Sequence, residues 1–192
     1  MTAGIRGVAT LAAISDTAVR EQGPAEQVAQ VASQRLLIVW PEFAPLDPAG
    51  RLRVVAHELT HAALAGDTSG RTPSWLVEGA ALYVSGDRRV DEAARRVAGG
   101  ANLTLTGLSS PDAIARLGGE GQSAGYSYAS AAAFYLVERY GRARFFELYD
   151  AFNKESLRGA AGPDLVDHAT RQVLGISLLR LERDLRRWIV LG

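Results

Sequence analysis

His57-Glu58-Leu59-Thr60-His61, followed by Pro73-Ser-Trp-Leu-Val-Glu78-Gly-Ala-Ala81, is the stretch on which the reading of this chain turns. Residues 52, 55, 56, 59, 63 and 64 are apolar at helical spacing, so the histidines lie within a helix over 48–65, with Gly66 as its natural stop. Four residues turn a helix by about 400°, which leaves the two imidazoles about 40° apart on one face. Both rings can then converge on one ion. Glu58 is turned about 100° further round the axis, beside such an ion and placed to take a proton from water.

Two imidazoles do not complete a catalytic zinc site, which normally has three protein ligands and one open position. The next helix offers the third. Thr72-Pro73 reads as a cap with proline at the first helical position, opening a helix over 74–84. Glu78 is its one acidic residue, set among Trp75, Leu76, Val77 and three small residues. A carboxylate in such company is costly to bury unless it is paired or bound to metal. Gly79 and Ala80 allow the two helices to approach closely. The expectation is a single catalytic Zn2+ held by His57, His61 and Glu78. The competing assignment makes the histidines core residues and Glu78 a satisfied buried acid.

Composition narrows the rest. Lys plus Arg and Asp plus Glu both number 21, so the net charge is zero. A nucleic-acid partner, which calls for a basic surplus, is not expected. With no cysteine, disulfides, thiolate zinc ligands and a cysteine nucleophile are excluded. No run approaches the roughly 20 apolar residues of a membrane-spanning helix. The apolar run at 7–14 is short for a signal sequence and reads better as a strand over 8–14.

The fold expected is α+β and predominantly α-helical, a single domain over 1–192 in three zones. Residues 1–45 contain strands, at 8–14 and 35–40, with a short helix over 25–33 between them. Residues 46–100 hold the zinc-site helices and a third helix over 90–98. Residues 101–192 form a C-terminal helical bundle, with helices over 110–117, 128–139, 142–152, 165–174 and 177–190. The glycine-rich patches at 118–125 and 159–162 read as connectors, with 118–125 flexible, and neither has the spacing of a phosphate loop. His168 and the arginines at 180, 183, 186 and 187 read as solvated helix faces.

HELTH followed by PSWLVEGAALYV resembles the gluzincin metallopeptidases, the superfamily of thermolysin and aminopeptidase N, and within it a small bacterial branch with a WLxEGxA second motif. The run from Tyr128 to Gly141 and the C-terminal helix ending at Trp188 are similar to that branch as well, so the likeness covers roughly residues 35–190. It implies a zincin-like catalytic domain hydrolysing a peptide or protein substrate, as an endopeptidase more than an exopeptidase, since the Gly-x-Met-Glu-Asn motif is absent. It implies zinc ligation by His57, His61 and Glu78, and Glu58 as general base. Tyr128, or alternatively Tyr126, would be the tyrosine donating to the developing oxyanion. Residues 35–40 would match the strand that pairs with substrate, or be an ordinary buried strand. An extracytoplasmic setting is also implied.

There are departures. Leu82 stands where thermolysin-type enzymes carry an Asp, so the outer partner of a ligand histidine must come from Asp91, Asp87 or a backbone carbonyl. A metzincin reading, with Asp67 as third ligand, fails because Leu64 replaces the required glycine and Met1 is the only methionine. A catalytically silent zincin-fold domain with a binding or regulatory role remains the alternative.

Overall fold

The computed structural model describes residues 12–19, 31–154 and 161–191, and over these the chain is predominantly helical. Two extended segments, β1 (Ala12–Val19) and β2 (Val31–Ile38), pair antiparallel with Ala12 opposite Ile38 and Val19 opposite Val31. No third strand joins them among the described residues. The small N-terminal sheet expected from the sequence is therefore reduced to a lone two-stranded ladder, which cannot sustain a fold by itself and lies beside the histidine helix.

Several boundaries move. Residues 31–33, expected at the end of a helix, belong to β2, while 8–11 and 25–30 lie outside the described residues. The strand expected to reach Trp40 stops at Ile38, because Pro41 suits the first turn of a helix: α1 (Trp40–Phe43) begins there. The histidine helix α2 (Pro48–Leu64) starts as its sequence dictates. Asp47 is extended and its side chain accepts from the Gly50 N–H at 2.6 Å, with Pro48 entering the first turn. The apolar positions of α2 do not form a core face, however. Leu52 and Leu59 are 70% and 53% exposed, and only Gly50 and Thr60 of this helix are buried.

The core lies on the other side of the next helix, α3 (Ser74–Val84), where Trp75, Leu76, Ala80, Ala81 and Leu82 are buried. Its start is held differently from the expected cap. Pro73 is the N-cap and gives no side-chain bond, and Thr72 Oγ1 instead accepts from Ser69 N–H at 3.0 Å. Ser74 does the anchoring. Its N–H donates to Ser110 O at 3.2 Å, its hydroxyl to Leu108 O at 3.2 Å, and its Oγ accepts from Ile114 N–H at 3.3 Å. The far end of α3 is fixed through Ser130, whose hydroxyl donates to Asp87 O at 2.9 Å and accepts from Arg89 N–H at 3.0 Å.

Beyond α3 come α4 (Val90–Ala98), α5 (Ala113–Leu117), α6 (Gly119–Tyr140), α7 (Arg142–Ala151), α8 (Gly162–Leu174) and α9 (Leu178–Leu191). The expected flexible connector at 118–125 is instead the opening of α6, the central helix. Glycine there serves packing. A Cβ on Gly125 would stand 3.2 Å from Ile114 Cγ1 and 3.2 Å from Leu117 Cδ1, so a bare backbone lets α5 lie flat on α6. Tertiary contact overrides the low helix propensity of glycine.

The closest approach that matters for the site is between α3 and α6. A Cβ on Gly79 would meet Ala129 O at 2.9 Å and Ala133 Cβ at 3.2 Å. Since Gly79 adjoins Glu78, the depth at which Glu78 sits is set by this contact. Gly79→Ala should lower stability by about 1–3 kcal/mol through overpacking. In a chain of this size that is several degrees of melting temperature, measurable by calorimetry.

Candidate metal centre

α2 and α3 pack against one another, and the contact brings together the three residues that the sequence points to. His57 Nε2 and His61 Nε2 are 3.0 Å apart. Glu78 Oε2 lies 3.3 Å from the first and 3.4 Å from the second. These form the metal-binding group that the described residues offer. The two rings meet edge to face with centroids 4.7 Å apart, as their one-turn spacing on α2 requires.

The triangle fits a tetrahedral ion. Bonds of about 2.0–2.1 Å at the tetrahedral angle separate neighbouring ligand atoms by about 3.3–3.4 Å. Both edges to Glu78 meet that separation, and the edge between the histidines is slightly shorter. The state of Glu78 supports the same conclusion. Its Oε2 is shut off from solvent and faces the two imidazole nitrogens at 3.3 and 3.4 Å. A buried carboxylate is costly unless it is paired or bound to metal, and the two imidazoles are what it faces. Burial alone would raise its carboxyl pKa, but the neighbouring His57 and His61 outweigh that and hold it down at about 2. Burial pulls His61 the other way, yet the carboxylates of Glu78 and Glu58 leave it raised. Two imidazoles and a carboxylate without sulfur are a donor set open to zinc and to other divalent first-row metals.

Glu58 stands beside the group, half-buried. Its carboxyl is raised, by burial first, with His57 and His61 opposing and Glu78 reinforcing. A carboxylate less acidic than usual is a better proton acceptor.

The two tyrosines separate. Residues 126 and 128 differ by about 200° around α6, so they occupy opposite faces. Tyr126 shares a face with Ala129 and Ala133, which meet α3. Its hydroxyl is raised by burial and then by the charges of Glu78 and Glu58. Tyr128 is 1% exposed, in the core. Burial raises it to about 12, and the charges that reach it are Arg186 and Glu182 of α9. Tyr128 is thus turned toward the C-terminal helix, with its hydroxyl beside Arg186. The residue that the sequence put first faces away from the metal group, and its alternative faces it.

Of the outer partners expected for the histidines, Asp87 is committed elsewhere. Asp87 is engaged by Arg89, at 2.9 and 2.6 Å, and Leu82 is buried in the core. A residue that sequence reasoning missed is Tyr149 of α7. It is buried, and its hydroxyl is raised by burial, eased by Thr68 and raised again by the charge of Glu78. Its place in an ordinary apolar run gave no signal. His168 is exposed, as expected.

Comparison with protein families, curated proteins and solved structures finds no match to this chain, so the geometry alone carries the functional reading. Zinc added to metal-free protein should bind at one ion per chain and raise the melting temperature with concentration. Because the ligands must be deprotonated, uptake should weaken as pH falls through the raised pKa of His61. Elemental analysis and calorimetry check both expectations. Uptake unaltered by His61→Ala would remove this group from consideration.

Proposed function

We propose that the chain is a zinc-dependent metallopeptidase of the gluzincin kind, a zincin-like catalytic domain in which His57, His61 and Glu78 hold the metal and Glu58 is the general base. The observation that carries the proposal is the Glu78 oxygen, closed off from solvent and 3.3–3.4 Å from two imidazole nitrogens that are themselves 3.0 Å apart. When bound, a zinc ion supplies Lewis acidity, polarising a carbonyl and lowering the pKa of water to about 7.

The protein's own groups then have distinct tasks. Glu58, next in sequence to His57 and turned off the ligand face, accepts the proton of the attacking water. It later returns that proton to the leaving amine. Tyr126, on the face of α6 turned toward α3, donates its phenolic proton to the oxygen that becomes negative. A tyrosine raised well above its ordinary pKa stays protonated and keeps its donor throughout the working pH range.

Substrate binding has backbone support. In a two-stranded ladder each strand pairs on one side only, and β2 also touches α2. The unpaired side of β2 suits an extended peptide added as a further strand. An edge of this kind engages the interior of a peptide and requires no free terminus, which favours an endopeptidase.

Glu58→Gln should retain zinc and lose casein cleavage, by two or more orders of magnitude if the base is assigned correctly. Tyr126→Phe should lower kcat with unchanged zinc content. Tyr128→Phe should leave kcat alone, because that hydroxyl is turned toward Arg186 of α9. Near-normal cleavage by Glu58→Gln, or reversed behaviour of the two tyrosines, would overturn these roles.

A further inference from the structure

The two halves of the metal group are held unequally. Glu78 rides on α3, which is fixed at its start by Ser74 and at its end by Ser130. The histidines ride on α2, which buries only Gly50 and Thr60. Beside the Asp47 cap at its start and its packing on α3 and the ladder, α2 has side-chain bonds at its far end.

The segment joining α2 to α3 is stitched to the end of α7. Tyr149 OH and Thr68 Oγ1 are 2.6 Å apart. Asn153 Nδ2 donates to Asp67 O. Ser69 Oγ and Arg71 Nη2 both donate to Phe152 O, at 3.2 and 3.0 Å. The tyrosine bond continues into α2 through a side chain, and Asp67, which accepts from Asn153, reaches the same Leu64 carbonyl through its N–H at 2.9 Å. Thr68 Oγ1 donates its single proton to Leu64 O at 2.8 Å, so it must accept from Tyr149. The chain of bonds therefore runs in one direction, from the Tyr149 hydroxyl to Thr68 and on to the last carbonyl of α2. Leu64 lies three residues after His61, on the adjoining turn. Tyr149 is 1% exposed and belongs to the main core, so its hydroxyl is a fixed point.

We propose that Tyr149 is a positioning residue of the metal centre, fixing the end of α2 through Thr68 and so setting where His61 stands relative to Glu78. The inference rests on the metal reading above and deepens it. The separations to Glu78 already match those of a bound ion, so a small slide of α2 spoils the fit, and groups that orient metal ligands matter nearly as much as the ligands.

The test measures zinc affinity by competition with a chromophoric chelator, and melting of the metal-free protein, on the full chain. Tyr149→Phe keeps the ring and removes the hydroxyl, Thr68→Val removes the relay, and Thr68→Ser restores it. Ile189→Val, in the core on α9, lowers stability at a remote place. The first two variants should bind zinc about 10-fold or more weakly. Thr68→Ser should bind as the wild type does, and Ile189→Val should melt lower with unchanged affinity. Wild-type affinity in Tyr149→Phe overturns the inference while leaving the metal centre standing. So does an equal loss in Ile189→Val, since general loosening would then explain it. No zinc on the wild type overturns the metal reading and this inference with it.

Discussion

A carboxylate oxygen closed off from water between two imidazole nitrogens is the constraint to which the rest of the structure answers. Left to itself, Glu78 would be protonated or solvated, and its burial would be a defect. Its position follows from a neighbour. Gly79 lets α3 settle onto the backbone of Ala129, and that contact carries Glu78 to the level of His57 and His61. Small side chains along α6 matter for the same reason. Ala129 and Ala133 form a surface flat enough for another helix to lie close, and Tyr126, on that same face, comes within reach of the acidic groups.

The site thus separates into a rigid acid and a less supported pair of bases. α3 is gripped at both ends by serine hydroxyls that bond to backbone from distant parts of the chain. α2 is capped at its start by Asp47 and tied to α7 at its last turn through hydroxyl groups. One ion holding ligands from both helices would join a well-packed body to a helix that buries only Gly50 and Thr60.

Much of this was legible in the sequence because it rests on local rules. The bounds of α3 and α4 follow from proline and glycine punctuation, and the convergence of His57 with His61 follows from helical geometry alone. What escaped was decided at long range. The glycines of 118–125 read as a flexible connector, but they are the contact surface between α5 and α6, which is visible only once Ile114 and Leu117 are placed against Gly125. Leu52 and Leu59 read as one face of an amphipathic helix, yet they are exposed, because the core forms on the other side of α3. The choice between Tyr126 and Tyr128 turned on which face of α6 meets α3, and both residues have the same chemistry. Tyr149 had no local signature, since its importance comes from Thr68, which is remote in sequence.

The sparse covering of α2 has a consequence for molecules that have not taken up an ion. With only Gly50 and Thr60 buried, this helix opens at less cost than α3, in the manner of a separate low-stability unit. An opened helix is extended chain, which is the form in which peptides are cut. If the chain cleaves peptides as proposed, empty copies would become food for filled ones. Self-digestion would then purge a mixed population of its inactive members, with the ion as the token that spares each molecule.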